Sequence, residues 1–130
     1  MGGRRPERVS RDYRELKVWA KAHALTLTVY AVTAKFPREE TYSLTSQIRR
    51  ACSSIPTNIA EGCGRGSDPE FARFLQIAAG SASELDYQLL LAKDLDYLPA
   101  HEYDNLAGEL TQIRKMLTSL IQRIRTRARA

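Results

Sequence analysis

The side chains able to do chemistry are few, and their spacing does not favour it. Cys52, Cys63, His23 and His101 are all the thiols and imidazoles in the chain. A zinc site asks for close-spaced pairs of such ligands, and none occurs. A carboxylate-bridged dimetal centre in a helical bundle asks for two Glu-x-x-His pairs, and the sequence has no Glu-x-x-His. His23 falls on an apolar line and reads as a buried, hydrogen-bonded or interface residue rather than a ligand. Nothing pairs either cysteine with a base, so nucleophilic catalysis is not indicated, and Cys52 reads as a small buried hydrophobe. On a common helix the two cysteines would lie roughly 16 Å apart, too far for a disulfide. No enzyme activity, metal or cofactor is expected, and reduced thiols suit a cytoplasmic protein.

Gly62-x-Gly64-x-Gly66 has the look of a phosphate loop until its context is read. Such loops follow a strand, whereas this one follows a helical segment, so termination by a left-handed glycine and a flexible turn is the expected role. The loop leads into the start of the next helix with Arg65 beside it, which still makes a fair anion site.

The cations are distributed unevenly. The formal net charge is +5, but residues 1–14 carry five arginines against two acids, and residues 114–130 carry six cations and no acid. The tails are therefore +3 and +6 and the body between them is −4. Cations at the end of a last helix complement its dipole and aid solubility; alternatively the tails grip phosphate. Arg123, Arg125, Arg127 and Arg129 alternate every second residue, which on a helix spreads them over two sides and implies diffuse electrostatics rather than one docking stripe.

The elements that must carry these residues are helical. Punctuation predicts four helices: about Leu16 to Lys35, Ser43 to Glu61, Ser67 to Leu95, and the segment after Pro99 to Arg125. Ser67, Pro69 and Glu70 form a start signal with a capping box, and the third helix is expected to be the longest. Short connections favour an all-α, antiparallel up-down-up-down four-helix bundle over residues 15–126, with a basic arm at 1–14 and a basic tail at 127–130. The length, 130 residues, has room for one core only. No apolar run reaches the roughly 20 residues of a membrane helix.

On the fourth helix Leu106, Leu110, Ile113, Leu117, Leu120 and Ile124 make one stripe at 4-3-4-3-4 spacing. The first helix has two lines: Val18, Ala22, Leu25, Val29, Val32 and Phe36, and about 140° away Leu16, Trp19, His23, Leu27, Tyr30 and Ala34. The third helix likewise sets Ile77, Glu84 and Leu91 apart from its core stripe. One bundle uses one such face per helix, so the second lines predict an oligomer interface formed by Trp19, His23, Leu27, Tyr30, Ile77, Glu84 and Leu91. Pro56 breaks the local rules: it should kink or restart the second helix near Cys52, with Ser53, Ser54, Thr57 and Asn58 serving the freed groups. Asn58 and Glu61 are candidates for a polar link to the next helix, and Pro56, Asn58, Glu61 and Gly62 are read as structural.

Leu16-Lys17-Val18-Trp19-x-Lys21-Ala22-His23, Phe36-Pro37-x-Glu39-Glu40-x-Tyr42, Leu44-Thr45-Ser46-Gln47-Ile48-Arg49-Arg50-Ala51, Ser54-Ile55-Pro56-x-Asn58-Ile59-Ala60-Glu61-Gly62-x-Gly64-Arg65 and Gly80-Ser81-x-x-Glu84-Leu85 carry a family resemblance. Over about Leu16 to Leu98 the chain resembles the four-helix-bundle proteins encoded in intervening sequences of bacterial 23S rRNA genes. The resemblance implies a cytosolic bundle that assembles as a ring of five, without known catalysis. A more distant similarity, to the accessory protein of diversity-generating retroelements, implies nucleic-acid and polymerase partners. Cys52, Cys63, Pro99 and the two arginine-rich tails depart from the usual pattern.

Two functions follow as expectations. One is an RNA- or DNA-associated accessory factor using Lys17, Lys21, Arg49, Arg50, Arg65, Arg123 and Arg127. The other is a homo-oligomeric scaffold that presents a ring surface to a protein partner without binding nucleic acid.

Overall fold

The computed structural model describes residues 12–129, and the arm expected at 1–14 lies almost wholly outside them. A 3-10 turn, Tyr13–Glu15, leads into four helices: α1 Lys17–Thr33, α2 Leu44–Cys63, α3 Asp68–Asp94 and α4 Ala100–Arg129. No strand occurs among the described residues. α2 packs most extensively on α3, α3 on α4 and α1 on α2, with a lesser α1–α4 contact that closes the antiparallel bundle. The four core stripes meet inside: Val18, Ala22, Leu25 and Val29 on α1, Ile48, Ile55 and Ile59 on α2, Phe71, Leu75, Leu85 and Leu89 on α3, and the whole predicted α4 stripe are buried.

Several boundaries differ from expectation. α4, with 30 residues, is longer than α3, with 27. Residues 127–129 continue α4 instead of forming a tail, because an alternating Arg/Thr/Ala run carries no helix breaker. α2 runs unbroken through Pro56. The hydroxyls and amide expected to serve the freed carbonyl are engaged elsewhere: Ser53 donates to Arg50 O, and Asn58 donates to Ser54 O at 2.8 Å and Ser54 Oγ at 2.9 Å. Ser54 Oγ lies 2.8 Å from Ser81 Oγ on α3. The α2–α3 polar link thus runs from Asn58 through Ser54 to Ser81, while Glu61 pairs with Arg65 at 2.9 Å. At α3, Ser67 accepts from Glu70 N as predicted, but the Glu70 carboxylate turns to Arg73 and leaves the capping box half made.

Gly62 is required by proximity, not by backbone conformation. A Cβ there would lie 2.9 Å from Phe71 Cδ1 and 3.0 Å from Phe74 Cβ, so the absent side chain lets α2 and α3 close. α2 ends at Gly64 with ordinary helical angles, and no glycine among the described residues has positive φ, contrary to the expected left-handed stop. The left-handed residue is instead Asp96, φ 64°, after α3. Tyr97 N donates to Ala92 O and Asp96 N to Lys93 O, the paired bonds of a Schellman ending, which tolerates Asp because its short side chain suits this region. The turn aims Tyr97 at the loop after α1, where its ring meets Phe36 and its hydroxyl donates to Glu40 Oε2 at 2.9 Å. Glu40 Oε1 accepts from the hydroxyl of Ser43, whose oxygen in turn caps α2 at Leu44 N.

Candidate functional site

The two α1 lines separate in space as their angle requires. The second line stays outside: Leu27 is 61% and Tyr30 43% exposed, His23 is exposed, and Trp19 is half-buried. Among the described residues His23 is neither buried nor hydrogen-bonded; its ring stacks on Trp19 at 4.9 Å with the planes 9° apart, and Tyr13 meets Trp19 edge-on. Ala20, Ala24, Ala31 and Ala34 are exposed too and, with Leu27, form a 4-3-4-3 ridge along the outside of α1. Sequence reasoning missed that ridge because alanine marks helix propensity as readily as burial.

On α3 Ile77 is 40% exposed, Glu84 is exposed and Leu91 is half-buried. Tyr87, 62% exposed, falls between Glu84 and Leu91 at helical spacing and joins that outer stripe unpredicted. Trp19 and His23 line an open groove of about 670 Å³ with Pro56, Thr57 and Ala60 of α2, and Ser81 touches Ser54 of α2. The predicted interface residues of α1 and α3 therefore flank the outward side of α2 and belong to one face of the bundle.

The predicted phosphate-binding cations divide into two groups. Lys21 pairs with Glu109 at 3.2 Å, and Arg65 with Glu61 while its guanidinium covers Phe74. Arg49 donates to Thr33 Oγ1 at 2.9 Å and Tyr30 O at 3.1 Å and lies over the Tyr30 ring, fastening α2 to the last turn of α1. Arg127 grips Asp68 through Nε and Nη2 at 2.9 and 2.8 Å, tying the end of α4 to the start of α3. Asp68 raises the Arg127 pKa through that hydrogen bond. These four have structural work within the bundle. Lys17, Arg50 and Arg123 are exposed and make no ion pair among the described residues.

The thiols fit a structural role. Cys52 and Cys63 are free and buried. Burial pushes the Cys52 thiol up to about 11, against the opposing effect of its contact with Thr26 Oγ1, so it stays protonated near neutrality. Among the described residues no group of three His, Cys, Asp or Glu could hold a metal ion, and no helix is long and apolar enough to cross a membrane.

Residues 14–119 match the family model of the 23S rRNA-intervening sequence protein. A similar solved structure is a protein of unknown function from the S23 ribosomal protein family of Bacteroides thetaiotaomicron VPI-5482. It is 26% identical, with a TM-score of 0.76 over 86% of this chain and 98% of that one. No curated protein matches. With the Ile55-Pro56-x-Asn58-Ile59-Ala60-Glu61-Gly62 segment and the bundle it helps to close, this match establishes that the chain belongs to the 23S rRNA-intervening sequence protein family.

Proposed function

We propose that the protein is a non-enzymatic, self-assembling bundle that acts as an accessory factor to RNA or DNA, its subunits meeting through the outward faces of α1 and α3. The observation that carries this reading is Leu27, 61% exposed in the middle of an alanine ridge and flanked by His23 and Tyr30. Isolated exposed apolar residues are ordinary, but a contiguous helical face of this kind is what a second subunit covers. The family resemblance favours a ring of five, which would carry a formal charge of about +25 and attract a polyanion more strongly than one subunit. Light scattering at micromolar concentration tests the assembly: a multiple of 14.7 kDa, reduced by Leu27→Arg, is expected, and a monomeric wild type refutes it.

A second reading, a scaffold for a protein partner, is favoured by the intramolecular engagement of Lys21, Arg49, Arg65 and Arg127. It predicts capture of one protein species that nuclease treatment leaves unchanged, and no gel shift of nucleic acid at low salt.

A further inference from the structure

We infer that the groove between the first turn of α1 and the C-terminal half of α4 binds the sugar-phosphate backbone of single-stranded nucleic acid. This rests on the accessory reading above and gives it a location. The groove, about 400 Å³, brings Lys17 of α1 beside Lys115, Ser119 and Arg123 of α4, above a floor that includes Leu16 and Met116. Lys17, Lys115 and Arg123 have no ion-pair partner among the described residues, whereas Lys21, Arg65 and Arg127 each pair with a carboxylate and Arg49 donates to Thr33 and Tyr30. Glu15 is the one carboxylate on the rim. Leu16, the residue before α1, supplies no side-chain cap, and α1 has no acid in its first turn, so its positive end adds to the field in the groove.

The surroundings extend the same chemistry. A second open groove, of about 430 Å³, shares Lys115 and Ser119 and adds Arg114 and Thr118. Along α4, Thr111, Lys115, Thr118, Gln122, Arg125 and Arg129 are all exposed and follow one another at 4-3-4-3-4 spacing. That line spans about 27 Å at 1.5 Å per residue. No acid occurs after Glu109. The alternation of the tail arginines therefore conceals a single stripe, which appears once Lys115 and the hydroxyl and amide side chains between are counted.

A surface with three cations, a hydroxyl donor and a single carboxylate at its rim suits a chain of phosphates. A polypeptide partner would also bring backbone N–H groups that need acceptors. The recess between two helices admits one flexible strand, its sugars against Leu16 and Met116. No aromatic ring lines it, so bases are not stacked there and recognition is independent of sequence.

Fluorescence anisotropy of the full chain with a labelled oligouridylate of about 20 nucleotides, at about 50 and 200 mM salt, tests this. Wild type should bind and weaken with salt. The triple variant Lys17→Ala, Lys115→Ala, Arg123→Ala should bind about tenfold more weakly at low salt. Its logarithmic salt slope should be shallower by about 2, as three contacts at roughly 0.7 each require. Circular dichroism and light scattering should show the same helix content and mass for both proteins. Lys35→Ala, just beyond the far end of α1, should bind as wild type does. Absence of wild-type binding at low salt overturns the accessory reading together with the site. Wild-type binding that the triple variant retains at full affinity and slope overturns the site alone. A duplex that displaces the probe as well as an unlabelled single strand does overturns the assignment to single strands.

Discussion

α1 and α4 both line the core, yet their outer halves are chemically opposite. From Thr111 to Arg129 α4 shows water hydroxyls, amides and cations around its apolar stripe, with Ala128 as the one exposed apolar residue. α1 shows Ala20, Ala24, Leu27, Ala31 and Ala34, with Tyr30 and His23 beside them. Core packing dictates the inner half of each helix and leaves the outer half free. What occupies that half reports the neighbour for which it is suited. Covering one exposed leucine is worth about 1.5–3 kcal/mol, so Leu27 at the centre of such a ridge supports the proposed association, whereas the outer half of α4 offers little apolar area to a dry partner and suits the phosphate contact proposed for it.

Removing the same atoms from each side of this comparison gives the largest contrast. Leu117 is fully buried in the α4 stripe, and Leu117→Ala should cost about 2–5 kcal/mol in urea unfolding. Leu27→Ala, measured at concentrations low enough for subunits to separate, should change unfolding by less than about 0.5 kcal/mol while reducing the mass seen by light scattering at higher concentration. Equal losses at the two positions in the separated subunit would show that the α1 ridge is held by its own chain, and the contrast between the helices would collapse.

A smaller effect distinguishes residues within α4. Arg127 and Asp68 side chains are 22% and 19% exposed, and two charge-assisted hydrogen bonds join them. Arg127→Ala should therefore destabilise by about 1–2 kcal/mol. Arg125→Ala, on the exposed stripe two residues earlier, should stay within about 0.5 kcal/mol. In RNA binding the order should reverse, with Arg125→Ala the more damaging. A stability loss shared equally by both variants would mean that the end of α4 has no dedicated structural arginine.

This division marks how far the sequence could be read. Periodicity located all four helices and the buried stripes of α1 and α4, because one apolar face per helix has a single solution once short links force antiparallel neighbours. The second line of α1 also emerged, since Trp19, Leu27 and Tyr30 are too large to ignore. What was not legible depended on partners distant in the chain. Arg49 reaches Thr33 and Arg127 reaches Asp68, separations of 16 and 59 residues that charge counting does not see. Lys115 was legible as a charge but not as a neighbour of Lys17, which requires knowing how α1 and α4 align. At Pro56 the continuity of α2 follows from its burial in the core, which local propensity does not report.

The segments that follow α1 and precede α4 meet at Glu40 and Tyr97, and this tie gives the smallest effect and one with a defined pH dependence. The Ser43 hydroxyl first, then the Tyr97 hydroxyl and Leu44 N–H, hold the Glu40 carboxyl below its ordinary value. The same bond to Glu40 raises the Tyr97 phenol above its ordinary 10.0. For the carboxylate, the folded value lies below the unfolded one, so its contribution is complete above the ordinary glutamate range and is lost as pH falls through the folded value. For the phenol the folded value lies above the unfolded one, so its contribution is present below about 10 and is lost as pH rises through the folded value. Tyr97→Phe removes both dependences that run through the bond and leaves the ring against Phe36. The difference in Tm between wild type and Tyr97→Phe should therefore be flat around neutrality and shrink at both the acid and the alkaline end. A difference independent of pH across that range would reduce the tie to the packing of two rings, and would leave the alignment of α1 with α4 to their direct contact and the Lys21–Glu109 pair.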